Sequence, residues 1–333
     1  MSDISGGLFL TNMKTKIKIP IPRSSQPYNF QYFLEHYVFH PWVRERDALV
    51  RLFHLNSKKF VLVSVGYKKT PPALILTFEA KTKLVKSDKQ WLVDMLSWNF
   101  AVDENVREFY QSICKKDRVL RAACDSGLYG AHLRTDPYVF ESVIGVVLAQ
   151  NVRFSRLYKM QRLLCEKFGD KAIFHGKAYY AFPTPERIAK ARMTQLCACK
   201  VGYRDKYLKA IAQKLVKVNT DLDALRQFSD IELIRGKLME LPGVGPYTAD
   251  LAIAIGFRLP TFHIDLFSRE ALVQFYFKGK NVPDKRLREF VEKRWGKWKQ
   301  HVMLLLTTNT DTWAKRLGAK FRLTSGAFSD SYN

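Results

Sequence analysis

The sequence predicts a mainly α-helical protein with an N-terminal α+β domain. Runs of β-branched and aromatic residues at 60–65 and 73–78, separated by turn residues, are typical of a β-hairpin. From residue 103 onward, apolar residues recur at helical spacing almost throughout. With 333 residues, the chain is long enough for two or three domains and a sizeable core.

The chain is expected to consist of three parts. Residues 1–105 form the α+β domain with a small antiparallel sheet, to which residues 16–19 add a strand and residues 88–98 a helix. This domain is expected to support the rest, since no pattern in it suggests chemistry. Residues 106–324 form a helical domain that can divide into two lobes around a cleft. Residues 325–333 form a polar tail.

The helical domain contains clear signals for the starts of helices. Asp136 is expected to cap a helix that begins at Pro137, and Thr184 with Pro185 starts another in the same way. Periodicity predicts the other helices. They fall at 156–168, 204–218, 229–240, 246–257, 266–277 and 284–295, with a last one through Trp313.

The net charge of +24 and the pI near 9.8 favour a polyanionic partner. Charge alone does not distinguish DNA from RNA or from an anionic membrane. Basic residues are concentrated at 278–299, where the alternative is a solvated helix face. The overall excess of positive charge predicts phosphate contacts somewhere on the surface.

The five cysteines are scattered, and the first residues lack the pattern of a secretory signal. An odd number of cysteines then indicates free thiols in an intracellular, reducing compartment. No apolar run approaches the length of a membrane span, so no membrane partner is expected. Cys197 and Cys199 lack the CxxC spacing of zinc and iron–sulfur sites. We expect no cofactor and no catalytic metal.

Residues 238–250 predict a helix, a very short hairpin and a second helix. Pro242 and Gly243 end the first helix, and Pro246 suits the first position of the second. Gly243 and Gly245 let the backbone turn tightly. The amides at the start of the second helix are then free to bind an anion. The alternative is an ordinary tight turn between two helices.

After an apolar helix and a short loop, the hairpin is followed by Asp265. The motif Leu241-Pro242-Gly243-Val244-Gly245, then Thr248-Ala249, then Asp265 resembles the helix-hairpin-helix DNA glycosylases, the HhH-GPD superfamily. The resemblance extends over about residues 136–313. More loosely, the N-terminal part is similar to the β-rich domain of 3-methyladenine and 8-oxoguanine glycosylases. Some members carry a four-cysteine cluster after the Asp, and this chain has no cysteine beyond residue 199.

The resemblance implies a DNA glycosylase of base excision repair. Such a monomeric hydrolase flips a damaged base out of double-stranded DNA, in the cytoplasm or nucleoid, or in a eukaryotic nucleus. Cleaving the bond between base and deoxyribose builds positive charge on the sugar. The Asp265 carboxylate would stabilise that charge and orient the attacking water. The alternative for Asp265 is a helix N-cap, and the two roles can coexist.

Position 247 separates two kinds of family members. Members that also cut the DNA backbone have a lysine there, whose amine forms a Schiff base. This chain has Tyr247, so the resemblance implies a monofunctional enzyme without AP-lyase activity. Tyr247, Phe267 and Gln150 are expected to line the substrate pocket. For Tyr247 the alternative is ordinary packing at the start of a helix.

Two further segments resemble DNA-contacting motifs of the family. In residues 148–153, Gln150 and Asn151 are expected to fill the space left by the flipped base, the alternative being a polar helix C-cap. The segment Gly202-Tyr203-Arg204 is similar to one in 8-oxoguanine glycosylases, where the Tyr wedges beside the lesion and the Arg contacts the base left behind. Its alternative is a turn before a basic helix.

The hairpin is expected to bind phosphate through the amides of Gly243, Val244 and Gly245, contacts that carry no sequence information. In relatives the hairpin carbonyls also hold a monovalent cation. The resemblance assigns that cation to the Leu241 and Val244 carbonyls of this chain.

An alkylated purine of the 3-methyladenine type is the leading substrate, because a cationic base leaves without needing protonation. The alternative enzyme is an 8-oxoguanine or deaminated-base DNA glycosylase. The Gly-Tyr-Arg segment argues for a purine lesion, whereas the missing lysine argues against a standard 8-oxoguanine lyase. The alternative of another class is a non-catalytic helix-hairpin-helix DNA-binding protein. Such a protein has no use for the acid at position 265.

Overall fold

In the computed structural model, residues 13–56 and 59–321 are described. The predicted polar tail therefore lies outside the described residues. Five antiparallel strands form one sheet in the order β1-β5-β4-β3-β2. Their bounds are β1 Met13–Pro20, β2 Val43–Glu45, β3 Ala48–Asn56, β4 Lys59–Lys68 and β5 Ala73–Ala80. The predicted hairpin is confirmed as β4 and β5, with Val63 opposite Phe78.

Helices make up most of the remaining chain, which confirms the predicted fold class. Up to residue 217 they are α1 Phe30–Glu35, α2 Lys86–Asn99, α3 Arg118–Ala123, α4 Val139–Ala149, α5 Phe154–Phe168, α6 Pro185–Lys190, α7 Met193–Cys197 and α8 Asp205–Lys217. They continue with α9 Ile231–Met239, α10 Pro246–Phe257, α11 Leu266–Tyr276, α12 Asp284–Trp295, α13 Lys299–Thr307 and α14 Thr310–Arg316. A small hairpin, β6 Lys171–Phe174 and β7 Lys177–Tyr180, follows α5. None of the helices in the described part of the chain is long and apolar enough to cross a membrane.

Two predictions of helix boundaries are wrong. The helix predicted from Pro137 begins at Val139, because its first amide is capped by a distant side chain, Asp223 Oδ1, at 2.8 Å. The last predicted helix is divided into α13 and α14. It breaks at Asn309, whose backbone is left-handed with φ +49°. The Thr184 cap is confirmed.

The buried residues form two large cores. The first core joins the sheet and α1–α3 to the C-terminal helices α11–α14. The second core lies among α4, α5 and α8–α10. The chain thus leaves the first core near residue 136 and returns to it near residue 262. The domain boundary at residue 105 stays a prediction, since the first core includes residues on both sides of it.

Two arginines make hydrogen bonds in the region where the two cores meet. Arg51 of β3 donates two hydrogen bonds to Glu141 of α4, at 2.9 and 2.6 Å, and both side chains are buried. Arg226 donates to the carbonyls of Asp136, Pro137 and Gly256, at 3.0, 2.8 and 3.0 Å, and so holds the crossing segment against the end of α10. Removing either Arg51 or Glu141 would leave the other charge buried without a partner, which is strongly destabilising. The pair therefore fixes the arrangement of the two cores.

His132 is a fully buried imidazole in the first core. Its Nδ1 lies 2.8 Å from the Gly130 carbonyl, to which it donates, and its ring centroid lies 4.6 Å from that of Tyr28. Burial lowers the pKa of His132 to about 4, although Glu104 opposes the shift. The folded protein therefore holds a neutral imidazole that the unfolded chain would protonate below about pH 6.5.

We predict that His132 contributes to acid destabilisation. Because its pKa is lower in the folded state, the free energy of unfolding should fall as the pH drops from about 6.5 to about 4, by up to about 3 kcal/mol. Urea unfolding at several pH values would measure this slope. His132→Gln should flatten it, whereas parallel curves for variant and wild type would contradict the assignment.

Candidate active site and DNA-facing surface

The predicted hairpin joins α9 and α10. Gly243 has φ +77°, and a Cβ at this position would lie 2.7 Å from Cγ of Tyr207 on α8. Only glycine therefore fits both the left-handed backbone and the neighbouring ring. The Val244 amide donates to the Leu241 carbonyl at 3.1 Å and closes the turn. Within the described residues, no side chain caps α10, so the amides of its first turn are available to an anion.

Gln150 ties the corner after α4 to this hairpin. Its side-chain amide donates to the Gly243 carbonyl and to the Thr248 hydroxyl, both at 3.1 Å. The Gln150 side chain is thereby engaged by the protein itself, and its place in a substrate pocket stays a prediction. Asn151, the next residue, is exposed and has a left-handed backbone with φ +51°.

The Gly-Tyr-Arg turn packs beside the same corner. Arg204 is only 2% exposed, and its guanidinium donates to the carbonyls of Gln150 and Val201. Its Cζ lies 4.4 Å from the ring centroid of Tyr203, which is 48% exposed. The structure thus gives Arg204 a positioning contact that the sequence did not reveal. A contact between Arg204 and a DNA base stays a prediction, whereas Tyr203 is at the surface.

Asp265 is the N-cap of α11. Its Oδ1 accepts the Ser268 amide at 2.7 Å, and Ser268 Oγ accepts the Asp265 amide at 2.8 Å. This reciprocal capping box confirms the capping role and fixes the carboxylate. Within residues 13–56 and 59–321, no hydrogen bond engages Oδ2. Asp265 itself is half-buried, and Leu266 beside it is 75% exposed.

Tyr247 lies near this carboxylate. Burial and then Asp265 raise the pKa of Tyr247, so the phenol is neutral. Its ring centroid lies 5.5 Å from that of His263, nearly perpendicular to it. Burial lowers the pKa of His263, against the opposing effect of Asp265. Phe267 is turned toward Phe321, 6.5 Å between centroids, and its place in a pocket stays a prediction.

Sequence reasoning missed several residues of this region. Arg153, Arg156 and Lys206 are exposed around the corner and the turn. The Arg156 guanidinium lies against Gly202, where an added Cβ would be 3.6 Å from Nη2. These three basic residues could have been found from the sequence by their position beside the two motifs. Tyr37 was also missed, although its phenol lies close enough to Asp265 for the carboxylate to affect its pKa.

Residues 144–297 match the family model described as the HhH-GPD superfamily base excision DNA repair protein. This range contains the corner after α4, the Gly-Tyr-Arg turn, the hairpin and Asp265. This part of the chain is therefore similar to the HhH-GPD superfamily. A DNA-3-methyladenine glycosylase of Bacillus subtilis is 26% identical over 227 residues, 67% of this chain and 69% of that protein. A probable N-glycosylase/DNA lyase of Methanothermobacter thermautotrophicus is 28% identical over 261 residues, 71% of this chain and 78% of that one.

Solved structures share the fold over nearly the whole chain. The 3-methyladenine DNA-glycosylase from Archaeoglobus fulgidus superposes with a TM-score of 0.73 at 20% identity, covering 92% of this chain and 99% of that one. MBOgg1 in complex with a low-affinity DNA ligand gives the same TM-score and coverage at 21% identity. The N-terminal sheet and the helices of this protein therefore have the same fold as these structures.

We predict that Gly243→Ala lowers the free energy of unfolding by about 1–3 kcal/mol, because alanine is strained at positive φ and its Cβ meets Tyr207. Gly236→Ala, in the same motif but inside α9 with open space around it, should instead be stabilising by about 0.5–1 kcal/mol. Denaturant unfolding of both variants tests this. Equal effects of the two substitutions would be incompatible with the hairpin geometry.

Proposed function

We propose that the protein is a DNA glycosylase that flips a damaged purine from double-stranded DNA and hydrolyses its N-glycosidic bond. The proposal depends on the position of Asp265. The capping box holds this carboxylate with Oδ2 free of hydrogen bonds in the described residues, in a segment that matches the HhH-GPD family model. An anion next to C1′ stabilises the oxocarbenium-like transition state. Oδ2 can also accept a proton from the attacking water.

DNA would be held by the amides of the hairpin and by basic side chains around the corner. The amides of Gly243 and Gly245 would bind phosphate without reading sequence, whereas the Val244 amide is already donated to the Leu241 carbonyl. Asn151 and Tyr203, both exposed, would enter the duplex where the base has left. The partner is double-stranded DNA bound by a monomer, in the cytoplasm or nucleoid, or in a eukaryotic nucleus.

The hairpin turn also fits a bridging cation. The Leu241 carbonyl accepts the Val244 amide, but a carbonyl oxygen has two lone pairs and can still bind a cation. The Leu241 and Val244 carbonyls would then hold a monovalent ion against a DNA phosphate. The ion would neutralise charge in binding and take no part in the cleavage.

The proposed enzyme is monofunctional, because Tyr247 has no amine with which to form a Schiff base. The proposed substrate is an alkylated purine of the 3-methyladenine type, in line with the name of the Bacillus subtilis relative. An 8-oxoguanine or deaminated base is the alternative, supported by the Gly-Tyr-Arg turn and by relatives named N-glycosylase/DNA lyase. A non-catalytic DNA-binding protein is the alternative from another class.

We predict that Asp265→Asn abolishes base release and leaves DNA affinity intact. Asparagine still caps α11, so only the charge is lost. Duplexes with one methylated, oxidised or deaminated base each would be incubated and analysed with and without alkali. Strand breaks should appear only after alkali with the wild type and be at least about 100-fold slower with the variant.

The matched control is Asp221→Asn, which changes another helix-capping aspartate, 2.9 Å from the amide it caps. This variant should cleave like the wild type. DNA binding without product on any base would instead support the non-catalytic alternative. Loss of activity in both variants would remove Asp265 as the specific cause.

We predict that wild-type protein forms no covalent adduct with damaged DNA under borohydride, whereas Tyr247→Lys does. Tyr247 is 37% exposed beside Asp265, so a lysine there would reach the sugar. Its amine would attack C1′ as the base leaves, and borohydride would reduce the resulting imine. Gel electrophoresis detects the adduct. An adduct with the wild type would show that another amine reaches C1′.

A further inference from the structure

A cavity of about 450 Å³ lies beside the β6–β7 hairpin. It is lined by all of β6, by Phe60 near the start of β4, and by Lys81 and Thr82 directly after β5. None of these residues belongs to the turn between α9 and α10, to the corner after α4 or to the region around Asp265. The proposed function therefore gives this cavity no role.

Helix α5 separates the cavity from the corner. It has 15 residues and is therefore about 22 Å long. The corner comes just before its first residue, Phe154, whereas β6 begins three residues after its last residue, Phe168. A duplex bound at the corner would thus leave the cavity open, and a ligand of the cavity would not compete with it.

One edge of β6 has no strand beside it in the described residues. Along the hairpin, hydrogen-bonded and non-hydrogen-bonded pairs alternate, beginning with the bonded pair Phe174–Lys177 at the two-residue turn. Lys171 and Ile173 belong to non-hydrogen-bonded pairs, so their amide and carbonyl groups point away from β7. Such an edge can accept a further strand.

The side chains at this edge are partly apolar. Phe174 is buried in a small third core with Leu52 and Leu62 of the sheet. Ile173 points to the opposite face of β6 and is 53% exposed. A strand paired with β6 would therefore place alternate side chains against Ile173 on one face and in the cavity, beside Phe60, on the other.

The cavity is also basic. Lys81 and Lys171 line it, and both side chains are exposed. No ion pair within residues 13–56 and 59–321 engages either of them. The carboxylate next to Lys171, that of Asp170, is already paired with Arg187. The two ammonium groups are therefore available to an anionic partner.

Strand β1 extends this basic surface. Its exposed residues alternate and include Lys14, Lys16 and Lys18. Lys14 lies opposite Glu79, which in turn lies opposite Leu62 of the third core. The three lysines therefore project from the face of the sheet that the β6–β7 hairpin covers. Charge complementarity favours an acidic occupant for this edge.

We propose that the free edge of β6 binds an extended, acidic segment of a partner protein, which pairs with β6 as a third strand. Main-chain hydrogen bonds to Lys171 and Ile173 supply affinity, and alternate side chains supply specificity. Acidic side chains of the segment bind Lys81 and Lys171, and apolar ones pack on Ile173 and Phe60. A nucleic-acid backbone fits less well, because phosphates accept hydrogen bonds and the β6 carbonyls need donors. The inference does not depend on the proposed function.

The experiment measures binding of a fluorescein-labelled peptide of alternating glutamate and valine, about six residues long, by fluorescence anisotropy. A peptide with lysine in place of glutamate is the control for charge. Lys81→Glu with Lys171→Glu reverses the charge of the cavity. The matched control, Lys116→Glu with Lys217→Glu, changes two exposed lysines of helical segments. Ile173→Pro removes an outward amide of β6 and leaves the pairing with β7 intact.

The wild type should bind the glutamate peptide at least about 10-fold more tightly than the lysine peptide. The charge reversal in the cavity and Ile173→Pro should each weaken that binding by about 10-fold, and the matched control should leave it unchanged. Absent or equal binding of the two peptides, or an unchanged affinity in Ile173→Pro, would overturn the inference.

Two further outcomes would replace the partner. Single-stranded DNA that loses affinity in the cavity charge reversal, but not in the matched control, would show a nucleic-acid site instead. A dimer of the wild type that Ile173→Pro separates in sedimentation experiments would show that the edge pairs with a second copy of this chain.

Discussion

The side-chain amide of Gln150 is the contact on which the DNA-facing surface depends. One nitrogen holds the Gly243 carbonyl and the Thr248 hydroxyl, and the Gln150 carbonyl is held in turn by Arg204. Segments nearly a hundred residues apart therefore act as one body. A partly buried hydrogen-bonded network of this kind sets geometry more than it adds stability, because its buried member Arg204 is costly to leave unpaired.

The site lies where the two cores meet. The hairpin and the start of α10 belong to the second core, whereas α11 and Asp265 belong to the first. Their separation is set by the Arg51–Glu141 pair and by the Arg226 contacts to the crossing segment. The proposed reaction tolerates little displacement of its carboxylate, and rigid packing where the two cores meet would limit such displacement.

Local sequence signals were enough to predict the turn between α9 and α10, most helices and the β4–β5 hairpin. Interactions between distant residues did not leave such signals. Strand β3 was missed because Arg51 interrupts its apolar pattern, and the Glu141 that makes its burial tolerable lies 90 residues away. The start of α4 was misplaced for the same reason, since its cap comes from Asp223. The burial of Arg204 and the approach of Tyr37 likewise arise only from tertiary packing.

In the capping box, the two carboxylate oxygens of Asp265 have different surroundings. Oδ1 accepts the Ser268 amide of the helix, and no hydrogen bond within residues 13–56 and 59–321 engages Oδ2. The α11 dipole favours a negative charge at this end of the helix. In the proposed function, conformational stability and chemistry therefore share a single residue. A substitution at position 265 that preserves one property can therefore remove the other. Glutamate, for example, would keep the negative charge but lose the N-cap of α11.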